Sequence, residues 1–460
     1  MAESTTTQIS ASWDKIVEKM EASLSRSVDG LVEALRKTPG GGILAGDDHT
    51  GTRISVWNTC QVVWTLRYFD RVPKMHPDIR RSVSHVIDQS QKDQEGNPRG
   101  DWVRSYVSAF AMLALCADRI SMDSPVLERA VMTAMSHQDQ SNPERGGWGF
   151  AAGDGSRVRP TAYMIYALDE VLRYTDPHYP LREQIGDSVR RGVKWLLHAR
   201  SPDGMWGRKT VFSSDVYQPG AAFEKGIEAT AWALLASLRV ANHSDGPYSG
   251  LRQDLVEELV PALTWLAGLS ADYIATVSEV EEEVIAAPIQ YYHRYDSLGL
   301  EIAIPAYVEA ARNAQLRRRG FVFDAQTLKE WVTRLLANER DGYWYEKCSG
   351  DYRQIWAAAH ALFALQAVQQ YHSEQLSLRE ATKAYLRQIG GRIKRRFRVR
   401  RVLAGIVSLV AGVMILLALP IVESFAAQHA SLISSAAFVL SAVGLILALL
   451  PVKGTGLPKA

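Results

Sequence analysis

Cysteine is scarce. Cys60, Cys116 and Cys348 are the only three in 460 residues, they lie far apart, and no CxxC pair exists. That excludes a disulfide framework and paired-cysteine zinc spacings, and it suits a reduced compartment. The first residues, Met1 to Trp13, lack the basic-then-apolar pattern of a secretory signal, so export is not expected. No segment of any length alternates with the strand period of two, so an all-α fold is expected. Charge is missing altogether from 402–422 and from 433–452. Each stretch is about 20 residues, enough to cross roughly 30 Å of hydrocarbon. The connector, Glu423 to Leu432, has no Lys or Arg. A two-helix transmembrane hairpin over 402–452 is therefore expected.

The flanks orient that hairpin. Arg392, Lys394, Arg395, Arg396, Arg398, Arg400 and Arg401 precede it, and Lys453 and Lys459 follow it. The positive-inside rule puts both ends, and the domain before them, in the cytoplasm. The division expected is a main domain over 1–377, a basic helical connector over 378–401, the hairpin over 402–452 and a tail over 453–460. Seven of the 52 basic residues lie in 392–401 and two follow 452, while one of the 50 acidic residues, Glu423, lies beyond 391. Residues 1–391 thus keep 43 basic and 49 acidic groups, a balance of −6, which argues against nucleic acid as a partner.

What the chain has in quantity is repetition. RGVKWLLHARSPDGMW, Arg191 to Trp206, closes one helix with a Gly-x-Trp turn, and GIEATAWALLASL follows from Gly226. The same plan occurs as Arg81–Trp102 before Val103, Arg129–Trp148 before Pro160, and Leu328–Trp344 before Tyr352. A period of about 45–70 residues marks a repeat architecture. In each unit the first helix is amphipathic and the second is apolar nearly all round, so surface and buried helices should alternate. Trp13–Lys37 with Ile54–Phe69 forms a first unit, and Leu251–Leu269 with Leu298–Asn313 forms a fifth that has lost its Gly-x-Trp. Six outer and six inner helices are expected.

These units resemble the repeats of squalene and related triterpene cyclases. Arg191, Gly192, Trp195, Leu196, Gly204 and Trp206 match that repeat in register, with Arg200 where Gln would stand. Arg129, Ala130, Gln138, Gly146 and Trp148 match it with a four-residue insertion. GIEATAWALLASL is similar to inner helices of the wider superfamily, which includes protein prenyltransferase β subunits. The resemblance covers about residues 15–372 and implies an (α/α)6 toroid. It also implies two chemistries to look for. The Asp-x-Asp-Asp acid of the cyclases is absent, and Asp47-Asp48 and Glu228 are the nearest candidates, each equally suited to capping a helix. The zinc ligands of the prenyltransferases have no recognisable pattern: Cys348, Asp351 and His360 share a segment without the right spacing, so no zinc is expected.

In a ring of hairpins every inner helix starts on one rim, and helix N-termini favour anionic or electron-rich ligands. Asp48 and Glu228 are the catalytic candidates on that rim. Asp47, Asp154, Arg157, Arg159, Tyr291, Tyr292, His293 and Asp296 are the ligand-binding candidates. Aromatics around such a mouth can stack on a ligand or stabilise a cation. The expected function is a membrane-anchored toroid that binds or processes an isoprenoid or other lipid-like ligand, hydrophobic or anionic. Processing calls for a deep apolar cavity with one buried acid. The alternative is a non-catalytic module of a signalling or stress-response system that binds a ligand or protein partner, which calls for a filled barrel or a polar, basic-lined mouth. A glycan-processing toroid would need a carboxylate pair, such as Asp47 or Asp48 with Glu228.

Overall fold

The computed structural model describes residues 2–44, 54–73, 76–90, 102, 104–119, 124–139, 146–207, 216–219, 223–243, 247–248, 251–276, 278–284, 290–296, 299–345 and 353–396. It comprises two compact units, 1–313 with 324–370, and 314–323 with 371–460.

The first unit is built from outer–inner helix pairs. They are α1 (Ala2–Lys37) with α2 (Val56–Tyr68), α3 (Pro77–Asp88) with α4 (Ser105–Ala117), and α5 (Pro125–Ser136) with α6 (Val158–Tyr174). Then come α7 (Arg182–Ala199) with α8 (Ile227–Asn242), and α9 (Arg252–Ala267) with α11 (Gly299–Arg312), with the short α10 (Ala271–Thr276) between them. The last pair is α13 (Ala325–Ala337) with α14 (Ile355–Arg396), of which 371–396 belong to the second unit, as does α12 (Ala314–Arg318). The composition contrast decides the layers. Every residue of α8 from Ile227 to Ala241 is buried, whereas α3 buries only the stripe of Asp78, Ile79, Ser82, Val83 and Val86. Inner helices pack in sequence, α2 on α4, α4 on α6, α6 on α8 and α8 on α11. Rings of α2 and α14 then meet, and α1 packs on α13, so the end of the unit returns to its beginning. Arg26 pairs with Glu339 at 2.6 Å across that seam, and the Tyr343 hydroxyl donates to the Gly30 carbonyl.

The Gly-x-Trp turn works as a clamp. Trp102, Trp148, Trp206 and Trp344 are buried, and each indole N–H donates to a carbonyl near the end of its own outer helix: Val86, Ala134, Leu196 and Leu335, at 2.7–2.9 Å. The backbone N–H of the first three donates to a hydroxyl in the next inner helix, Ser108, Thr161 and Thr230, and Ile43 uses Thr59 the same way. The other repeat positions join neighbouring units. The Gln138 amide donates to the carbonyls of Gly146 and Ser188, and its oxygen accepts from Arg191. Arg200, standing where Gln would be, reaches Glu258 on α9. Gly192 is small because Trp148 lies against it: a Cβ there would sit 2.7 Å from the indole.

One expectation is corrected. The all-helical reading misses a β-hairpin, β3 (Ser278–Val284) paired antiparallel with β4 (Gln290–Asp296), in the unit that lost its Gly-x-Trp. Three glutamates between Val280 and Val284 hide the apolar period of two, while the Val- and Tyr-rich composition still favours strand. Short strands also pair beside the inner helices: β1 (Ile43–Leu44) with β2 (Ile54–Ser55), and β5 (Glu339–Arg340), β6 (Tyr343–Tyr345) and β7 (Arg353–Gln354) in one small sheet. Helix α14 extends over Ile355–Arg396, and residues 372–389 contain no Gly or Pro to stop it. Among the described residues no helix is long and apolar enough to cross a membrane. The stretches 402–422 and 433–452 lie outside the described residues.

Candidate ligand site at the mouth of the inner ring

Each inner helix presents an i, i+4, i+7 stripe toward the others, which stacks side chains in rungs. On α2 the stripe is Trp57, Gln61 and Trp64, and on α14 it is Trp356, His360 and Phe363. Ring contacts fix their levels: Trp57 stacks on Trp356 with centroids 6.2 Å apart, and Trp64 meets Phe363 at 4.7 Å. Gln61 and His360 therefore share the level between.

The first rung is the mouth. Trp57 meets Tyr106 of α4 edge-on at 5.6 Å, and Tyr106 meets Phe150 at 6.3 Å. Across from these, Arg159 of α6 pairs with Glu228 of α8 at 2.8 Å, both largely buried. Glu301, in the first turn of α11, completes the polar half. Burial pushes its carboxyl up to about 8, and the negative charge of Glu228 adds to the shift. Glu301 is thus mainly protonated at neutral pH. One half of the mouth is aromatic, from α14, α2 and α4; the other is polar, from α6, α8 and α11.

The second rung narrows the axis. Phe110 of α4, Trp232 of α8 and His360 of α14 come from alternate helices, yet their rings meet pairwise at 5.8–6.1 Å. Below them Trp64, Tyr166 and Phe363 do the same at 4.7–6.4 Å. Where isoprenoid processing calls for a deep apolar cavity, the described residues bring rings together on these two rungs. His360 is 1% exposed and Gln61 is 0% exposed, and among the described residues neither ring nitrogen nor either amide atom has a hydrogen-bond partner. Each such orphan costs about 1–3 kcal/mol. Burial pushes the His360 imidazole down to about 3, so it is neutral at physiological pH.

The far end of the axis is the opposite case, a fully paired charge cluster. Asp169 of α6 bonds Arg173 at 2.7 Å and His243 at 2.9 Å and lies near Arg239, whose guanidinium also reaches the hydroxyls of Tyr68 and Tyr166 and stacks 4.5 Å over the Tyr166 ring. Burial alone would raise the Asp169 carboxyl; His243, Arg173 and Arg239 reverse that and hold it at about 2.

The sequence candidates divide accordingly. Arg159 and Glu228 come together at the mouth. Asp154 is exposed and closes a turn by accepting from the Ala151 N–H, and Arg157 stands at the N-cap position of α6, with no capping bond from its side chain, while its backbone pairs with Trp148. Tyr291, Tyr292, His293 and Asp296 fall on β4, with backbone register to Glu283, Glu282, Glu281 and Ser278; their side chains lie outside those described. Asp47, Asp48, Cys348 and Asp351 also lie outside the described residues. Glu301 and Gln61 were missed, although the stripe spacing of Trp57, Gln61 and Trp64 is readable once the helix faces are known.

No protein-family model matches the chain, and no curated protein matches it. Among solved structures, cellobiose 2-epimerase from Bacillus thermoamylovorans is similar over 78% of this chain and 100% of its own, at 12% identity and a TM-score of 0.52. An unsaturated glucuronyl hydrolase specific for heparin is similar over 77% and 98%, at 12% identity and 0.51. A type II terpene cyclase from Scytonema is similar over 78% and 99%, at 11% identity and 0.46. The chain is an α/α toroid. At such identity the likeness speaks for the toroid's backbone alone, and its chemistry has to be read from its own mouth.

Proposed function

We propose that the toroid is a ligand-binding module held at a membrane by the apolar stretches 402–422 and 433–452, with the toroid on the cytoplasmic side. Its ligand is small and amphiphilic, of isoprenoid or other lipid-like character, and the bilayer is its source. The observation that carries this reading is the split mouth: Trp57, Tyr106 and Trp356 offer ring faces, while Arg159, Glu228 and Glu301 offer polar contacts. The rings that narrow the second rung favour a ligand held mainly at the mouth over engulfing a long chain. The test is to purify the full chain from membranes in mild detergent and identify co-purifying small molecules by mass spectrometry. One lipid-like species should be enriched, and Trp356→Ala should lose it. Bulk membrane lipids in their ordinary proportions would count against the reading.

A second reading keeps catalysis, and Glu301 favours it. A carboxylic acid that stays protonated at neutral pH is the group an alkene-protonating enzyme needs. In that step the Glu301 proton passes to one alkene carbon, leaving a cation on the other and a carboxylate on Glu301. Product formation from a prenyl substrate, abolished by Glu301→Gln, would establish it; no turnover by the wild type leaves the binding module.

A further inference from the structure

We propose that Gln61 and His360 form a site for an uncharged hydroxyl group on the toroid axis, one helical turn below the mouth. This rests on the reading of the mouth as a ligand site and names the head group that it accepts. The rungs carry the argument. Gln61 and His360 lie level between the Trp57–Trp356 and Trp64–Phe363 contacts, and both are fully buried. All four of their polar atoms lack partners, and so do the indole N–H groups of Trp57, Trp64 and Trp232 on the same stripes, among the described residues. Some buried polar groups of the same kinds are paired: the indoles of Trp102, Trp148, Trp206 and Trp344 each find a carbonyl, and Gln138 is bonded at both amide atoms, whereas the Gln366 amide and the His85 Nε2 are orphaned like those on the axis.

The available atoms select the ligand. A neutral imidazole offers one donor and one acceptor, and a carboxamide offers both. A hydroxyl, which donates and accepts at one oxygen, matches that pair. An anion does not: among the described residues the axis carries no cation at this level, and at the mouth Arg159 is paired with Glu228. Hydroxyls reach such a site from two sources, a lipid alcohol or a neutral sugar, and both have faces that aromatic rings can cover.

The experiment follows tryptophan fluorescence of the detergent-solubilised full chain titrated with farnesol, farnesyl diphosphate and cellobiose. Farnesol or cellobiose should bind, and Gln61→Leu and His360→Leu should each weaken binding at least tenfold, while thermal melting stays level or rises by roughly 2 °C as an orphan is removed. His360→Asn, which keeps a donor and an acceptor, should weaken it less than His360→Leu. Binding of cellobiose but not farnesol would uphold the hydroxyl site and overturn the lipid reading. Tighter binding of the diphosphate than of either neutral probe would overturn the site and leave the mouth reading standing. Unchanged affinity in both Leu variants, or melting lowered in both, overturns the site, and failure of all three probes overturns site and reading together.

Discussion

At the scale of residues, two acids at opposite ends of the axis make opposite demands on pH. Glu301 is held near 8 against an ordinary carboxylate value of 4.5. The unfolded chain ionises first, so the stability linked to this group is complete below about 4.5 and drains away as pH rises toward 8. Glu301→Gln should therefore raise stability at pH 8 more than at pH 5, by on the order of 3 kcal/mol between the two, measured by denaturant melts. Asp169 runs the other way. Its folded value of about 2 lies below the ordinary 3.8, so its contribution is complete above about 4 and is lost as acid approaches 2. Asp169→Asn should cost about 3–5 kcal/mol at pH 7, because Arg173 and Arg239 would keep buried charge without its counterpart. A loss under about 1 kcal/mol would show that the cluster rearranges around Asn.

At the scale of elements, the repeat positions are explained by who touches whom. Gly192 yields space to Trp148 of the preceding turn, so Gly192→Leu should destabilise by about 1–3 kcal/mol through overpacking. Trp206→Phe keeps most of the apolar surface but strands the Leu196 carbonyl, and should cost about 1–3 kcal/mol by the same measurement. Helix positions and the outer–inner alternation were legible from periodicity, because a helix buried on all sides carries few charges, whereas a surface helix keeps a charged face. The β3–β4 hairpin was not legible, since its run of glutamates reads as a solvated loop until the facing strand is known.

At the scale of the whole molecule, the uncharged stretches at 402–422 and 433–452 carry the prediction. A chain ending at 401 should move from the membrane pellet to the supernatant on fractionation, and the full chain should resist alkaline carbonate. Release of the full chain by carbonate would mean that neither stretch is inserted.

The sequence by itself determined the six outer and six inner helices, their pairing and the Gly-x-Trp clamps, because those follow from local spacing of apolar and small residues. It offered Arg159 and Glu228 as rim residues without revealing that they neutralise each other. Only the tertiary structure decided that Trp57, Trp356, Gln61 and His360, separated by some three hundred positions, share one axis. The same packing turned Glu301 from an ordinary helix glutamate into a protonated acid, since desolvation depends on what surrounds a group in space and not on its neighbours in the chain.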